Sequence, residues 1–187
     1  MSGLLIGVIV AAIVLLIVLS IVGTYNGMVK ERNKVEQAFA DIDVFLKKRY
    51  DLIPNLVNTV KGYAKHENET FNQITELRGQ AVNTHDMNQS VETNNKISAS
   101  LRTMLALAEN YPSLKADKNF LSLQSSLSEI ENEIARVRTN YNHYANIYNT
   151  KLETFPNNLF ASIFKFKKSN LFTVADPKER ENVKVEF

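Results

Sequence analysis

The chain contains no cysteine, which excludes disulfides, thiolate metal sites and a thiol nucleophile. Its six glycines are scattered and form no loop that could cradle a phosphate. The histidines His66, His85 and His143 stand in no metal-protease motif, and no Glu-x-x-His pair of the kind that holds a di-iron centre occurs. No nucleophile elbow or Ser-His-Asp arrangement is visible. Glu129, Glu131 and Glu133 read as a solvated helix face rather than a carboxylate cluster. A net charge of +2 is too small to point to nucleic acid as a partner. These absences argue against an enzyme, a cofactor and a metal.

A further absence organises the whole chain: no side chain from Met1 to Val29 is charged. Within that stretch, Leu4–Val22 reads LLIGVIVAAIVLLIVLSIV. At about 1.5 Å per residue this run is roughly 29 Å long, the thickness of a bilayer hydrocarbon core. Most of its residues are Leu, Ile or Val, which makes insertion favourable by about 5–9 kcal/mol as an upper estimate. The rival is a cleaved signal peptide, which begins with a basic region and ends in small residues. Here no Lys or Arg precedes the run, and Ser20-Ile21-Val22 is a poor cleavage site. Lys30, Arg32, Lys34, Lys47, Lys48 and Arg49 follow it, so the positive-inside rule puts that side in the cytoplasm and the N-terminus outside. Gly3, Gly7 and Ala11 lie four apart on one face, a spacing that lets two membrane helices approach closely.

The rest of the chain carries helical periodicity. Val35, Phe39, Ile42, Leu46, Ile53, Leu56, Val60 and Tyr63 form one seam, interrupted at Arg49 and containing Pro54. A second segment, about 67–109, has two apolar stripes out of phase across the polar stretch Asn83–Ser90, where a stutter, kink or disorder is expected. Tyr111-Pro112 ends it. The third begins at Asp117, an N-cap candidate, and runs through Phe120, Leu127, Ile134, Tyr141 and Tyr148 to Pro156. The pattern predicts an all-α protein: a transmembrane helix continuing into an elongated antiparallel bundle of three long helices plus a short fourth. The expected divisions are an anchor over 1–23, a bundle over 24–168 and a charged tail over 169–187, in which Val183, Val185 and Phe187 alternate as an extended strand would.

With three long helices the Glu109–Asn119 turn falls near the bilayer, and the piece from Asn158 to Lys168 falls at the far end. Register counting then sets Arg49 level with Tyr141 and Asn142, and Arg138 near Asp43, as a buried polar layer. Phe160, Ile163, Phe164 and Phe166 are expected to pack on their own bundle or on a neighbouring subunit.

Several strings together are specific: Tyr25-Asn26, Arg32-Asn33, Lys48-Arg49-Tyr50-Asp51-Leu52-Ile53-Pro54-Asn55-Leu56-Val57, Tyr111-Pro112-Ser113-Leu114, Ala135-Arg136-Val137-Arg138 and Tyr141-Asn142. From Tyr25 to about Phe166 the chain resembles the bacterial LemA family. The resemblance implies an N-terminal membrane helix, a helical bundle, no established enzymatic activity and, through a magnetosome member, a role in organising membranes. The expected function is a self-associating scaffold of the bacterial cytoplasmic membrane, with the bilayer and its own copies as partners. The alternative is an adaptor that docks another membrane protein, such as a peptidase or transporter.

Overall fold

A computed structural model of the chain describes residues 2–84 and 87–172. The expected strand at Val183–Phe187 lies outside the described residues, as does most of the tail. The all-α class is what the structure shows: the described residues form helices and no strand. Helix α1 spans Ser2–Lys61, α2 Asn68–Asn83, α3 Met87–Ala106, α4 Pro112–Lys115, α5 Lys118–Glu153 and α6 Asn157–Ile163, with a 3-10 turn at Leu107–Glu109.

The long apolar run and the first seam belong to one unbroken helix, α1. Helix suits the run because every backbone polar group is satisfied within the segment, a necessity in hydrocarbon. The described residues leave its most apolar stretch unburied. A core helix of equal hydropathy would be buried by its neighbours. Pro54 lies inside α1 without ending it.

The described residues divide into two compact units, and α1 and α5 contribute to both. In one unit, α1 up to Ala40 combines with Arg138–Leu171. Its buried side chains include Met28, Val35, Ala38, Tyr141, Ala145, Tyr148, Leu152 and Ala161. In the other, Asp41–Val137, the core contains Ile42, Leu46, Ile53, Leu56, Val60, Phe71, Ile74, Ile97, Leu101, Met104, Phe120, Leu127 and Ile134. Most of these positions are those the periodicity marks. Tyr63 departs from its seam: it is 41% exposed and donates to Asp117 at 2.8 Å.

The second segment differs from its expected form. It is two helices, α2 and α3, packed against each other. Phe71, Ile74, Leu77 and Ala81 bury one face of α2, and Ile97, Leu101 and Met104 bury one face of α3. The two stripes are out of phase because each serves a separate helix. This extra reversal moves everything after it. The turn before α5 sits at the C-terminal end of α1, where Tyr63 meets Asp117, not at the end carrying the apolar run. Asp117 is the N-cap of α5, its Oδ1 accepting the Phe120 amide at 2.9 Å. That bond, with the Tyr63 hydroxyl, holds the Asp117 carboxyl below its usual range.

Candidate functional site: a buried arginine brace and an aromatic cluster

The first site grows out of the Arg49–Leu56 string in the unit Asp41–Val137. Arg49 points to the inner side of α1 and is fully buried. A buried guanidinium is tolerated only with several acceptors, and three residues on two helices, α3 and α5, supply them. Its Nη1 donates to Glu131 Oε1 of α5 at 2.9 Å and to Ser98 Oγ of α3 at 2.9 Å. Its Nη2 donates to Asn94 Oδ1. The acceptors are themselves held: Tyr50 Oη donates to the same Asn94 oxygen at 2.6 Å, and Ser98 Oγ donates to Glu131 Oε2 at 3.1 Å. Asn94 Nδ2 donates back to the Ser90 carbonyl at 2.8 Å. Burial raises the Tyr50 phenol above its ordinary value, and the neighbouring Arg49 charge opposes that rise.

Pro54 adds a second tie. A proline has no N–H, so the carbonyl four residues earlier in a helix loses its donor. That carbonyl belongs to Tyr50, and Arg78 Nε of α2 donates to it at 2.8 Å. The string therefore braces α1 to α2 through Pro54 and Arg78, and to α3 and α5 through Arg49. Replacing Arg78 by Ala should cost about 1–2 kcal/mol, the range of a hydrogen bond to a charged donor. In a Pro54→Ala background the amide of residue 54 can serve the Tyr50 carbonyl, and the same replacement should cost only about 0.5 kcal/mol. Denaturant unfolding of the four variants in detergent measures this, and equal costs in both backgrounds would break the link.

The expected partners of Arg49 are corrected here. Glu131 lies about three helical turns before Tyr141 and Asn142 on α5. The count failed because it took α2 and α3 as one helix. Asn94, Ser98 and Glu131 are the residues that reasoning missed. Asn94 and Ser98 carry a faint signal: they stand four apart beside the buried positions Ile97 and Leu101. Glu131 is half-exposed and ion-paired, so only its neighbour Glu129 keeps the fully solvated character expected of that face. Tyr141 and the half-buried Arg138 and Asn142 belong to the other unit.

In that unit, Tyr141 is buried against Phe39, with ring centroids 6.0 Å apart, and its hydroxyl donates to the Asn170 carbonyl at 2.9 Å. Asn149 binds the Ser169 backbone at both its amide and its carbonyl, 2.9 Å each. The first residues after 168 are thus tied to α5. The aromatic piece is also placed differently from expectation. Phe164 and Phe166 meet Tyr25 edge-to-face at 5.0 and 5.7 Å, and the Arg32 guanidinium lies 5.6 Å over the Phe166 ring. Phe160 shares a groove with Ile13, Leu16, Ile17, Ser20 and Ile21 of the apolar run. The far-end placement is wrong because the extra reversal brings α5 back along α1. Ile163 is 67% exposed. Around Gly3 and Gly7 there is open space, so the described residues leave that face of α1 uncovered.

The hydroxyl that does stand beside a carboxylate, Ser98 Oγ at 3.1 Å from Glu131 Oε2, also accepts from Arg49, as Glu131 does, so both are held within the brace. Among the described residues no three His, Asp or Glu side chains gather to hold a metal ion. The described geometry is that of braces: charges neutralised by partners across helices, and aromatic rings locking a chain end onto α1.

Protein LemA of Metamycoplasma hominis is 31% identical over 155 residues, covering 82% of this chain and 68% of that protein. Magnetosome protein MamQ 2 of Paramagnetospirillum magneticum is 24% identical over 174 residues, covering 79% of this chain and 64% of its own length. Magnetosome protein MamQ of Magnetospirillum gryphiswaldense is 21% identical over the same span. The chain thus spans just under two thirds of the magnetosome relatives it matches. The LemA family model matches residues 38–187, which include the whole Arg49 brace, and the chain belongs to the LemA family.

Proposed function

We propose that this protein is a membrane-anchored scaffold of the bacterial cytoplasmic membrane, without catalytic activity, that works by associating with copies of itself. The N-terminus lies outside and the helical domain in the cytoplasm. The observation that carries this reading is the continuity of α1: a helix whose apolar run the described residues leave unburied leads directly into the braced helices. Two relatives bear the name of an organelle and not of a reaction. An anchor confines copies to a plane and raises their effective concentration, so weak lateral contacts suffice. Phe164 and Phe166 already rest on their own α1. Self-association therefore falls to the face of Gly3, Gly7 and Ala11 and to the sides of the helices.

Gentle extraction and imaging of the purified protein test the reading against its alternative. The scaffold reading expects regular assemblies built from this polypeptide alone. A stoichiometric second membrane polypeptide that is required for assembly would make the protein an adaptor instead.

A further inference from the structure

On the side of α6 away from Phe160, the described residues leave an apolar stripe exposed. Phe155, just before the helix, Leu159 and Ile163 follow one another at four-residue steps and are 80, 54 and 67% exposed. The opposite side is occupied: Phe160 faces the apolar run of α1, and Phe164 stacks edge-on to Tyr25. Asn158 and Ser162 mark a third, polar side, and Lys165, Lys167 and Lys168 follow the helix at once. In water such a stripe, standing beside an equally naked apolar helix, has no partner. Beside a segment that crosses a bilayer, it has one.

We propose that α6 with Phe155 is a second membrane contact, inserted from the cytoplasmic side into a single leaflet next to the anchor. The inference rests on the reading that the apolar run of α1 spans the bilayer. The placement of Phe160 sets the depth. Its neighbours Ile13, Leu16, Ile17 and Ile21 are residues that face lipid if α1 spans, so the stripe on the far side of α6 meets acyl chains at the same level. Tyr25 closes the apolar run where a membrane–water interface would place an amphipathic ring, and it contacts both Phe164 and Phe166. The end of α6 is therefore at headgroup height, where Lys165 and Lys167 can meet lipid phosphates while Lys168 pairs with Glu153 of α5. Seven residues at about 1.5 Å each cover roughly 10 Å, a third of the hydrocarbon thickness, so the element enters one leaflet and cannot cross.

Lys165 makes the reversal that follows. Its φ of 57° is left-handed, the conformation that ends a helix when the next amides turn back onto it. The Phe166 amide donates to the Ala161 carbonyl at 2.9 Å and the Lys165 amide to that of Ser162 at 3.3 Å. This closure sets Phe166 on Tyr25 and Arg32 and leads to Lys168, which pairs with Glu153.

The chain has no tryptophan, so a single introduced one reports alone. Leu159→Trp and Ile163→Trp are made in the full-length protein, with Val10→Trp in the anchor as a separate variant. Each is reconstituted in vesicles of phosphatidylcholine and phosphatidylglycerol whose acyl chains are brominated close to the headgroup. The proposal expects blue-shifted emission at Leu159→Trp and Ile163→Trp, and about a twofold loss of it in brominated lipid, as for rings buried 5–10 Å below the interface. Water-like emission open to a soluble quencher overturns it. Blue-shifted emission indifferent to brominated lipid also overturns it, since a second protein surface would then cover the stripe. If lipid brominated at the chain ends also fails to quench Val10→Trp, the anchor reading itself falls, and this proposal with it.

Discussion

Replacing Arg49 by alanine should destabilise the helical domain by about 3 kcal/mol or more, the range for breaking a buried ion pair. The argument starts from burial: the side chain is at 0% exposure and joins α1 to α3 and α5 through Asn94, Ser98 and Glu131. Removal takes a donor from each of these acceptors. It also leaves a void the size of a long side chain, and tightly packed interiors close such voids only in part. The loss is not that of a stranded carboxylate, because Glu131 is 36% exposed and water can reach it. Glu131→Ala is the harsher electrostatic test. It leaves the guanidinium buried with two neutral acceptors, and it should cost as much although a more exposed group is removed. Arg49→Met, which fills the space without the charge, should recover part of the loss. Denaturant unfolding in detergent reads all three. A change within about 0.5 kcal/mol for Arg49→Ala would mean that the brace contributes nothing net.

The second large effect concerns the membrane and is close to all-or-none. The chain has no cysteine, so introduced thiols are the only ones present. Ser128 lies exposed on α5, and Ser2 precedes the apolar run. In spheroplasts an impermeant thiol reagent should label Ser2→Cys and leave Ser128→Cys untouched until the membrane is opened. The basis is charge: no Lys or Arg precedes the run, whereas Lys30, Arg32 and Lys34 follow it. Labelling of Ser128→Cys alone would invert the orientation. Loss of both Ser2→Cys and the apolar run from the mature protein would show a cleaved signal instead of an anchor.

Much of the fold is legible without coordinates. The stripes of α1 and α5 repeat at helical spacing over long stretches, so local geometry and burial demand the same residues. The cap at Asp117 is legible because an N-cap is a local interaction, settled within one helical turn. The reversal between α2 and α3 is not. A polar stretch between two stripes out of phase is consistent with a stutter, a kink or a turn, and only packing distinguishes them. That one ambiguity propagates, since register is counted from the turns. It carried the partners of Arg49 from Glu131 to Tyr141, and it moved α6 from the apolar run to the opposite end. Arg49 itself is conspicuous because a charge interrupts an apolar seam. Glu131 is not, because it sits among other glutamates on a face that reads as solvated. The tie between Pro54 and Arg78 is invisible for another reason: the proline predicts a free carbonyl, but which residue serves it depends on where α2 returns.

Self-association is the claim on which the proposed function depends. Extraction in a mild detergent, followed by light scattering with the detergent mass subtracted, measures it directly. The account predicts a protein mass that is a multiple of the 21.2 kDa chain and that persists on dilution. A single chain mass at every concentration would contradict it.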